Sequence, residues 1–134
     1  MGYEVFDHTA DVMIRCTGST IEECFENAAY AMFDQVVDAS AIESRLERTV
    51  EISAEDDEDR LYSLLSELLF IMDFETLVFG KFKVTIDGYK VRCTAYGEPL
   101  DRIKHRPHSE IKAVTYHMLS VDSDVPSVTV VFDV

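Results

Sequence analysis

The sequence predicts an α+β protein, a single compact domain in which two main helices pack on a mainly antiparallel sheet. Three patterns predict this class: apolar residues at helical spacing in two runs, several short alternating runs, and an Asp-Gly pair typical of a hairpin turn. The elements follow the order strand, helix, strand, strand, and this order occurs twice. One such module, at about 49–97, is inserted in the other. At 134 residues the chain has the size of one domain, 1–134.

The outer module begins with a strand over 12–17, which Gly18 ends. Thr20 followed by Glu23 has the spacing of a capping box, in which each residue satisfies a backbone N–H group at the helix start. Apolar residues then recur on one helical face. We therefore expect a helix over 21–37 with that face buried.

The inner module begins with a strand over 49–54, and its helix should start near residue 57. The acidic run 55–59 stands just before this helix, where carboxylates interact favourably with the helix dipole. An interaction tail is the alternative interpretation of that run. The latter half of the helix is apolar nearly all round, which predicts deep burial. The residues concerned are Tyr62, Leu69, Phe70 and Ile71.

Two alternating runs flank Asp87-Gly88, a pair that favours a two-residue type I′ hairpin turn. With that turn, Ile86 pairs with Tyr89 and both face the core. The opposite face of the hairpin is basic. It is either a solvated outer face or a docking patch for an acidic partner or for RNA held by another protein. Its side chains are Lys81, Lys83, Lys90 and Arg92.

Composition excludes several classes of function. The net charge of −14 and pI near 4.5 repel phosphate backbones, so any RNA contact should be indirect or weak. No apolar run approaches the roughly 18 to 20 residues that cross a bilayer, and the N-terminus does not resemble a secretion signal. Three cysteines without C-x-x-C spacing argue against a disulfide framework or a thiolate zinc site. We expect a cytoplasmic protein without a membrane partner.

No familiar nucleophile, phosphate-loop, dinucleotide or zinc-hydrolase motif is present, so we predict no catalytic residue. The chain ends offer a more specific site. Asp11 opens the strand 12–17, and Asp133 follows two strand-like runs, 111–121 and 128–132. If the first and last strands pair antiparallel, both aspartates lie at one sheet edge. Together with Val134 they form an all-oxygen cluster suited to Ca²⁺ or Mg²⁺.

Four strings in the sequence resemble the archease family: "HTAD", then "GSTIEECFENAAYAMF", then "IKAVTYH", and "VVFDV" at the end. Their order and spacing are specific, and the resemblance extends over essentially the whole chain. It implies the same inserted-module fold. It also implies a non-catalytic accessory protein that activates an RtcB-type RNA ligase in tRNA splicing, promoting ligase guanylylation and multiple turnover.

Carried over by position, the resemblance places the family's divalent-metal site on Asp11, Asp133 and Val134. The cation would be Ca²⁺, with Mg²⁺ or Mn²⁺ as alternatives. The partner would be the ligase. Supporting or ligase-contacting roles are implied for His8, Lys104, His105, Lys112 and Thr115.

Two other function classes remain open. A metal-dependent phosphoester enzyme would use the cation to activate water. A general protein-binding or chaperone module would bind its clients without needing either aspartate.

Overall fold

The computed structural model describes residues 2–7 and 11–134. Within them the elements, in chain order, are β1 (Tyr3–Asp7), β2 (Asp11–Thr17), α1 (Ile21–Val36), a 3-10 helix (Ala39–Ala41), β3 (Leu46–Ser53), α2 (Asp57–Glu75), β4 (Leu77–Asp87), β5 (Lys90–Pro99), α3 (Arg102–His105), β6 (Ala113–Asp122) and β7 (Ser127–Asp133).

The strands form two antiparallel sheets. The outer sheet has the order β1-β2-β7-β6 and the inner sheet the order β3-β5-β4. All strands of the inner sheet come from one continuous stretch that also contains α2, and this stretch separates β2 and α1 from β6 and β7. The predicted fold class, one strand-helix-strand-strand module inserted in another, is therefore confirmed. The sequence did not predict the N-terminal strand β1 or the short helix α3.

Both long helices contact both sheets. Helix α1 packs on β2 and β7 of the outer sheet and on β4 of the inner sheet, while α2 packs on β6 and on the inner strands. Phe33 of α1 illustrates the contact, because its ring lies 5.6 Å from that of Phe79 and 5.7 Å from that of Phe82. The core is consequently shared between the two modules.

Helix α1 starts where the sequence predicts. The Thr20 hydroxyl accepts a hydrogen bond from the Glu23 N–H at 3.1 Å, which is the first half of a capping box. The second half differs, because the Glu23 carboxylate accepts from the N–H of Ser19 at 3.2 Å and not from that of Thr20. A neighbouring N–H group is thus satisfied at the same helix end.

Helix α2 confirms one expectation and corrects another. Asp56 is its N-cap, accepting from the Asp59 N–H at 2.8 Å, so the acidic run 55–59 is part of the helix start. Leu69 and Ile71 are buried as predicted, but Phe70 is 57% exposed. The prediction of deep burial all round was wrong, because the helix contacts the sheets on part of its circumference only.

The predicted hairpin forms with a shifted register. Asp87 pairs with Lys90, so the loop residues are Gly88 and Tyr89 instead of Asp87 and Gly88. Gly88 has φ 59°, the conformation that a primed two-residue turn requires at its first loop position. Near the turn, each residue of β4 consequently pairs with a partner two positions further along β5 than predicted, so each strand side chain keeps its predicted face. Tyr89, however, was expected in the core and lies in the loop, where it is 65% exposed.

The edge strand β6 contains a large irregularity. Thr115 pairs with Val131 of β7, and the next pair is Ser120 with Thr129, so four residues of β6 lie opposite one residue of β7. Met118 within this bulge has φ 54°, a left-handed conformation that is uncommon for methionine. None of the helices described, in 2–7 and 11–134, has the length and apolarity that crossing a membrane would take.

Candidate functional site

Three strands of the outer sheet bring the two distant ends of the sequence together. Asp11 of β2 pairs directly with Asp133 of β7, and Asp133 also pairs with Ala113 of β6. The N–H of Lys112 donates to the Asp133 carbonyl oxygen at 2.7 Å. Because directly opposed residues of an antiparallel pair project to the same face, the two aspartates share one face at this edge.

The Asp11 carboxylate shows that this edge is not an ordinary solvated turn. Its Oδ1 atom is buried and has no hydrogen-bond partner in the part of the chain that the structure describes. A buried oxygen without a partner costs about 1 to 3 kcal/mol, more when it carries charge. A cation bound there would remove that cost. The environment of Asp11 therefore fits the predicted metal site.

The donors at this edge are oxygens. Asp11 and Asp133 carry carboxylates and Val134 carries a backbone carbonyl, and oxygens of these kinds are the donors that Ca²⁺ and Mg²⁺ prefer over zinc. Across residues 2–7 and 11–134, no cluster of three or more His, Cys, Asp or Glu side chains could enclose an ion. A cation held here would thus keep open coordination positions for a partner or water. The predicted supporting residue His8 lies outside the described residues.

Lys112 and Thr115, the other residues expected near the site, both belong to the β6 region. The Lys112 side chain is exposed next to Asp133. The Thr115 hydroxyl donates to the Val131 carbonyl oxygen at 3.1 Å and so supports the pairing of β6 with β7. Lys112 is available for an external contact, whereas Thr115 has a partner within the sheet.

Lys104 and His105 lie in α3, where they bind a buried carboxylate. Glu98 at the end of β5 is 2% exposed. It accepts hydrogen bonds from the Glu43 N–H at 2.8 Å, from Lys104 Nζ at 3.0 Å and from His105 Nε2 at 2.9 Å. His105 is also 2% exposed, so its ring is enclosed within this network. Arg45 Nη1 completes the surroundings at 3.8 Å.

The hydrogen bonds of His105 define its tautomer. The N–H of Asp101 points to His105 Nδ1 at 2.9 Å, so Nδ1 is the acceptor and carries no proton. Nε2 then carries the proton and donates it to Glu98. A neutral imidazole satisfies both contacts, and the ring joins the start of α3 to the end of β5.

The network changes the acidity of Glu98. Burial by itself would raise its pKa, but the hydrogen bonds from the Glu43 N–H, Lys104 and His105 outweigh burial and lower the pKa to about 2. The carboxylate is therefore ionised throughout the neutral range. Lys104 responds in the opposite direction, since its hydrogen bonds to Glu43 and Glu98 raise its pKa. This network gives Lys104 and His105 a clear structural role.

The family can be assigned from the whole chain. Residues 3–134 match the Archease protein family (MTH1598/TM1083). The chain belongs to the archease family. A protein archease of Pyrococcus furiosus is 48% identical over 124 residues, covering 90% of this chain and 87% of that protein. One from Methanothermobacter thermautotrophicus is 47% identical, covering 90% and 88%.

Two solved structures support the assignment of the archease fold. The solution structure of protein 1598 of Methanobacterium thermoautotrophicum has a TM-score of 0.87 and 43% identity, and 99% of each chain is covered. The crystal structure of an archease from Thermotoga maritima, described as a possible chaperone, has a TM-score of 0.65 and 22% identity, covering 96% of this chain and 94% of that one. The second likeness shows the shared fold only.

The basic hairpin face of this archease is partly neutralised. All four predicted side chains are exposed, but Arg92 lies 3.7 Å from Glu51, and Lys90 is opposite Asp87. Lys81 lies over the Tyr96 ring at 5.6 Å. Lys83, at the centre of β4, pairs with Thr94. The face therefore mixes both signs of charge and presents no continuous basic surface.

Sequence reasoning missed Glu98. The alternating core positions of β5 are Val91, Cys93, Ala95 and Gly97, so the pattern places Glu98 on the outer face. The structure buries both Gly97 and Glu98, because the 3-10 helix region and α3 cover the end of the strand. Only the long-range contact with Glu43 reveals this position, and no local signal predicts it.

Proposed function

We propose that this archease is a non-catalytic, cytoplasmic activator of an RtcB-type RNA ligase in tRNA splicing. The observation that carries the proposal is the directly paired Asp11 and Asp133, with a buried Asp11 oxygen that no described residue satisfies. Membership of the archease family supports the assignment of the partner. Buried, free thiols at Cys16, Cys24 and Cys93 are typical of a reducing compartment such as the cytoplasm.

In this proposal Asp11, Asp133 and the oxygens of Val134 hold a divalent cation, Ca²⁺ or alternatively Mg²⁺ or Mn²⁺. A bound cation supplies a concentrated positive charge that attracts phosphate or carboxylate oxygens. Asp11 contributes an oxygen already withdrawn from water, while the exposed Asp133 and Lys112 face the partner. The two carboxylates orient the cation, and the sheet holds them at fixed separation.

Activation requires that the protein bind the guanylylation-competent state of the ligase more tightly than its other states. A tenfold shift toward that state needs a difference of about 1.4 kcal/mol in binding free energy. A few contacts at the acidic edge are sufficient for such a difference. RNA would be bound by the ligase, because the net charge of −14 opposes direct binding by this chain.

A general protein-binding or chaperone module is the second candidate. The observation favouring it is the exposed, stacked pair Phe70 and Phe74 on α2, because adjacent exposed aromatic side chains are typical of protein-binding surfaces. In that case client binding should not depend on Asp11 or Asp133.

The test is multiple-turnover ligation by the cognate ligase with GTP and Mn²⁺, with and without this protein. We expect stimulation by the wild type and its loss in Asp11→Asn and in Asp133→Asn, because each substitution removes a charged donor while preserving shape. Asp87→Asn, at the exposed hairpin turn, is the matched control and should stimulate normally. Circular dichroism checks that each variant is folded.

Three results would decide against the proposal. Absence of stimulation by the wild type at any concentration would remove the ligase as partner. Full stimulation by both aspartate variants would favour a protein-binding module instead. Phosphoester hydrolysis by the isolated wild type that Asp11→Asn abolishes would make the protein a metal-dependent enzyme.

A further inference from the structure

Helix α2 carries an aromatic surface that no other segment covers in the part of the chain that the structure describes. Phe70 is 57% exposed and Phe74 is 77% exposed, and their rings stack with centroids 5.4 Å apart. They lie four residues apart and are therefore neighbours on one face of the helix. Two adjacent exposed phenylalanines on a charged, acidic protein are unfavourable in water, which is typical of a surface that binds another molecule.

The bulge in β6 supplies a second wall beside this helix. It places Tyr116 against Tyr62, with the two rings stacked at 3.9 Å and Tyr116 still 58% exposed. Between the helix and the strand is a cavity of about 250 Å³. Tyr62, Phe70 and Lys112 line this cavity, and Phe74 and Tyr116 extend its aromatic surface by stacking on Phe70 and Tyr62. We name the surface formed by these five residues the α2–β6 groove.

Carboxylates flank the groove at both ends. Near Tyr116, partial burial and then the negative charge of Asp59 raise the pKa of the tyrosine hydroxyl. At the other end, partial burial and then the negative charge of Glu110 raise the pKa of Asp73, which also lines the cavity. Lys112 is the basic side chain among those that line the cavity. The local charge therefore favours a basic occupant.

We propose that the α2–β6 groove binds a protein segment that carries apolar side chains flanked by lysine or arginine. The apolar side chains would cover Phe70 and Phe74, and the basic ones would meet Asp59, Asp73 and Glu110. Complementary charge speeds association and excludes wrong partners, while the aromatic rings supply most of the affinity. Nucleic acid and anionic membranes lack this chemistry and are repelled by the acidic surface.

The groove ends beside the candidate metal site. Lys112 lines the cavity, and its backbone N–H donates to the carbonyl oxygen of Asp133 at 2.7 Å. A segment bound along α2 would therefore approach the edge that carries Asp11 and Asp133. Only this link, and the choice of the ligase as natural partner, rest on the proposed function; the binding chemistry of the groove does not.

The first experiment uses a short synthetic helical peptide of leucine and lysine as the probe, titrated into the full chain and measured by calorimetry. We expect Phe70→Ser combined with Phe74→Ser to weaken binding by roughly tenfold or more, because exposed aromatic anchors dominate such interfaces. Asp73→Asn should weaken it less and reduce its salt dependence. Ile103→Ser is the matched control, since Ile103 is 86% exposed on α3 and is not among the residues that line the cavity, and it should bind normally.

The second experiment measures binding of the same variants to the cognate ligase, without turnover. Weaker binding of the double phenylalanine variant with an unchanged Ile103→Ser supports the groove as the docking site. If the wild type does not bind the ligase, the proposed function fails and the peptide titration alone decides on the groove. If ligase and peptide both bind the double variant as tightly as the wild type, the groove proposal is overturned and the proposed function stands.

Sedimentation of the wild type and the double variant tests the competing occupant, a second copy of this chain. A monomeric wild type leaves the groove free for the partner segment and is the expected result. A wild-type dimer that becomes monomeric in the double variant would show that the groove joins two copies, and would overturn the proposal.

Discussion

Glu98 joins three separate segments of the chain through one buried carboxylate. Its oxygens accept from the backbone of Glu43, from Lys104 and from His105, so the loop after α1 and the helix α3 are both tied to the end of β5. Removing the charge would leave the donors of Lys104 and His105 facing a group that cannot satisfy all of them. The network should therefore matter more for stability than an exposed ion pair.

The pH dependence of stability tests this role. Since folding lowers the pKa of Glu98 from 4.5 to about 2, its contribution is present above pH 4.5 and is lost as the pH falls toward 2. We expect Glu98→Gln to reduce the free energy of unfolding at neutral pH by about 3 kcal/mol. The difference from wild type should shrink as the pH falls from 4.5 to 2. Urea unfolding at a series of pH values measures both effects.

Other carboxylates also titrate in this range, so a matched control is needed. Glu47→Gln removes one negative charge from an exposed position on β3. Its difference from wild type should stay small at every pH. A pH-independent difference for Glu98→Gln would show that the loss comes from shape or packing and not from the ionised carboxylate.

At the scale of the elements, β4 and β5 approach closely near Gly97. A Cβ atom at that position would lie 1.9 Å from the Val78 carbonyl oxygen and 2.8 Å from Phe79 Cα. Neither atom can move without displacing the backbone of β4. The absence of a side chain at residue 97 is therefore a condition for the observed pairing, which also shifts register between Phe79 and Lys81.

Alanine substitution can test two different reasons for a glycine. Gly97 is needed for the close approach of two strands, whereas Gly88 is needed for its backbone conformation. We expect Gly97→Ala to destabilise the protein by about 3 kcal/mol or more, because the strands must separate. Gly88→Ala should cost roughly 1 kcal/mol, since residue 88 has φ 59° but meets nothing within 4 Å. Thermal or urea unfolding of both variants gives the comparison. Equal losses would contradict the close approach of β4 and β5.

The elements also show what the sequence could predict. The start of α1 followed from Thr20 and Glu23, because a cap is a local interaction. The hairpin was placed correctly but its loop was shifted by one residue, since an Asp-Gly pair fits more than one primed turn. The bulge of β6 and the exposure of Phe70 depend on which elements pack against each other. Local periodicity carries no information on that.

The candidate site was predicted only in part, because some of its contacts join elements that are distant in sequence. The pairing of Asp11 with Asp133 required only that the first and last strands of the outer module be antiparallel, which the alternating pattern allowed. The network around Glu98, which includes His105, also contains a hydrogen bond between two residues that are 55 positions apart in sequence, Glu43 and Glu98. No spacing rule within one element anticipates such a contact.

At the scale of the whole molecule, the two modules share one core. Because α1 and α2 each contact both sheets, neither sheet can keep its buried face covered if the other module unfolds. Phe33 of the outer module, packed on Phe79 and Phe82 of the inner one, shows how much apolar surface crosses between them. We therefore expect the chain to unfold in a single cooperative transition.

Two spectroscopic probes can test this expectation during urea unfolding. Far-ultraviolet circular dichroism reports the helices, and near-ultraviolet circular dichroism reports the packing of the aromatic side chains, including Phe33 and the stacked Tyr62 and Tyr116. The two curves should coincide. Phe33→Ala should shift both by the same amount, about 3 to 5 kcal/mol, because it opens a cavity at the junction of the modules. Curves that separate, or a variant that shifts one curve only, would mean that the inserted module folds independently of the module that surrounds it.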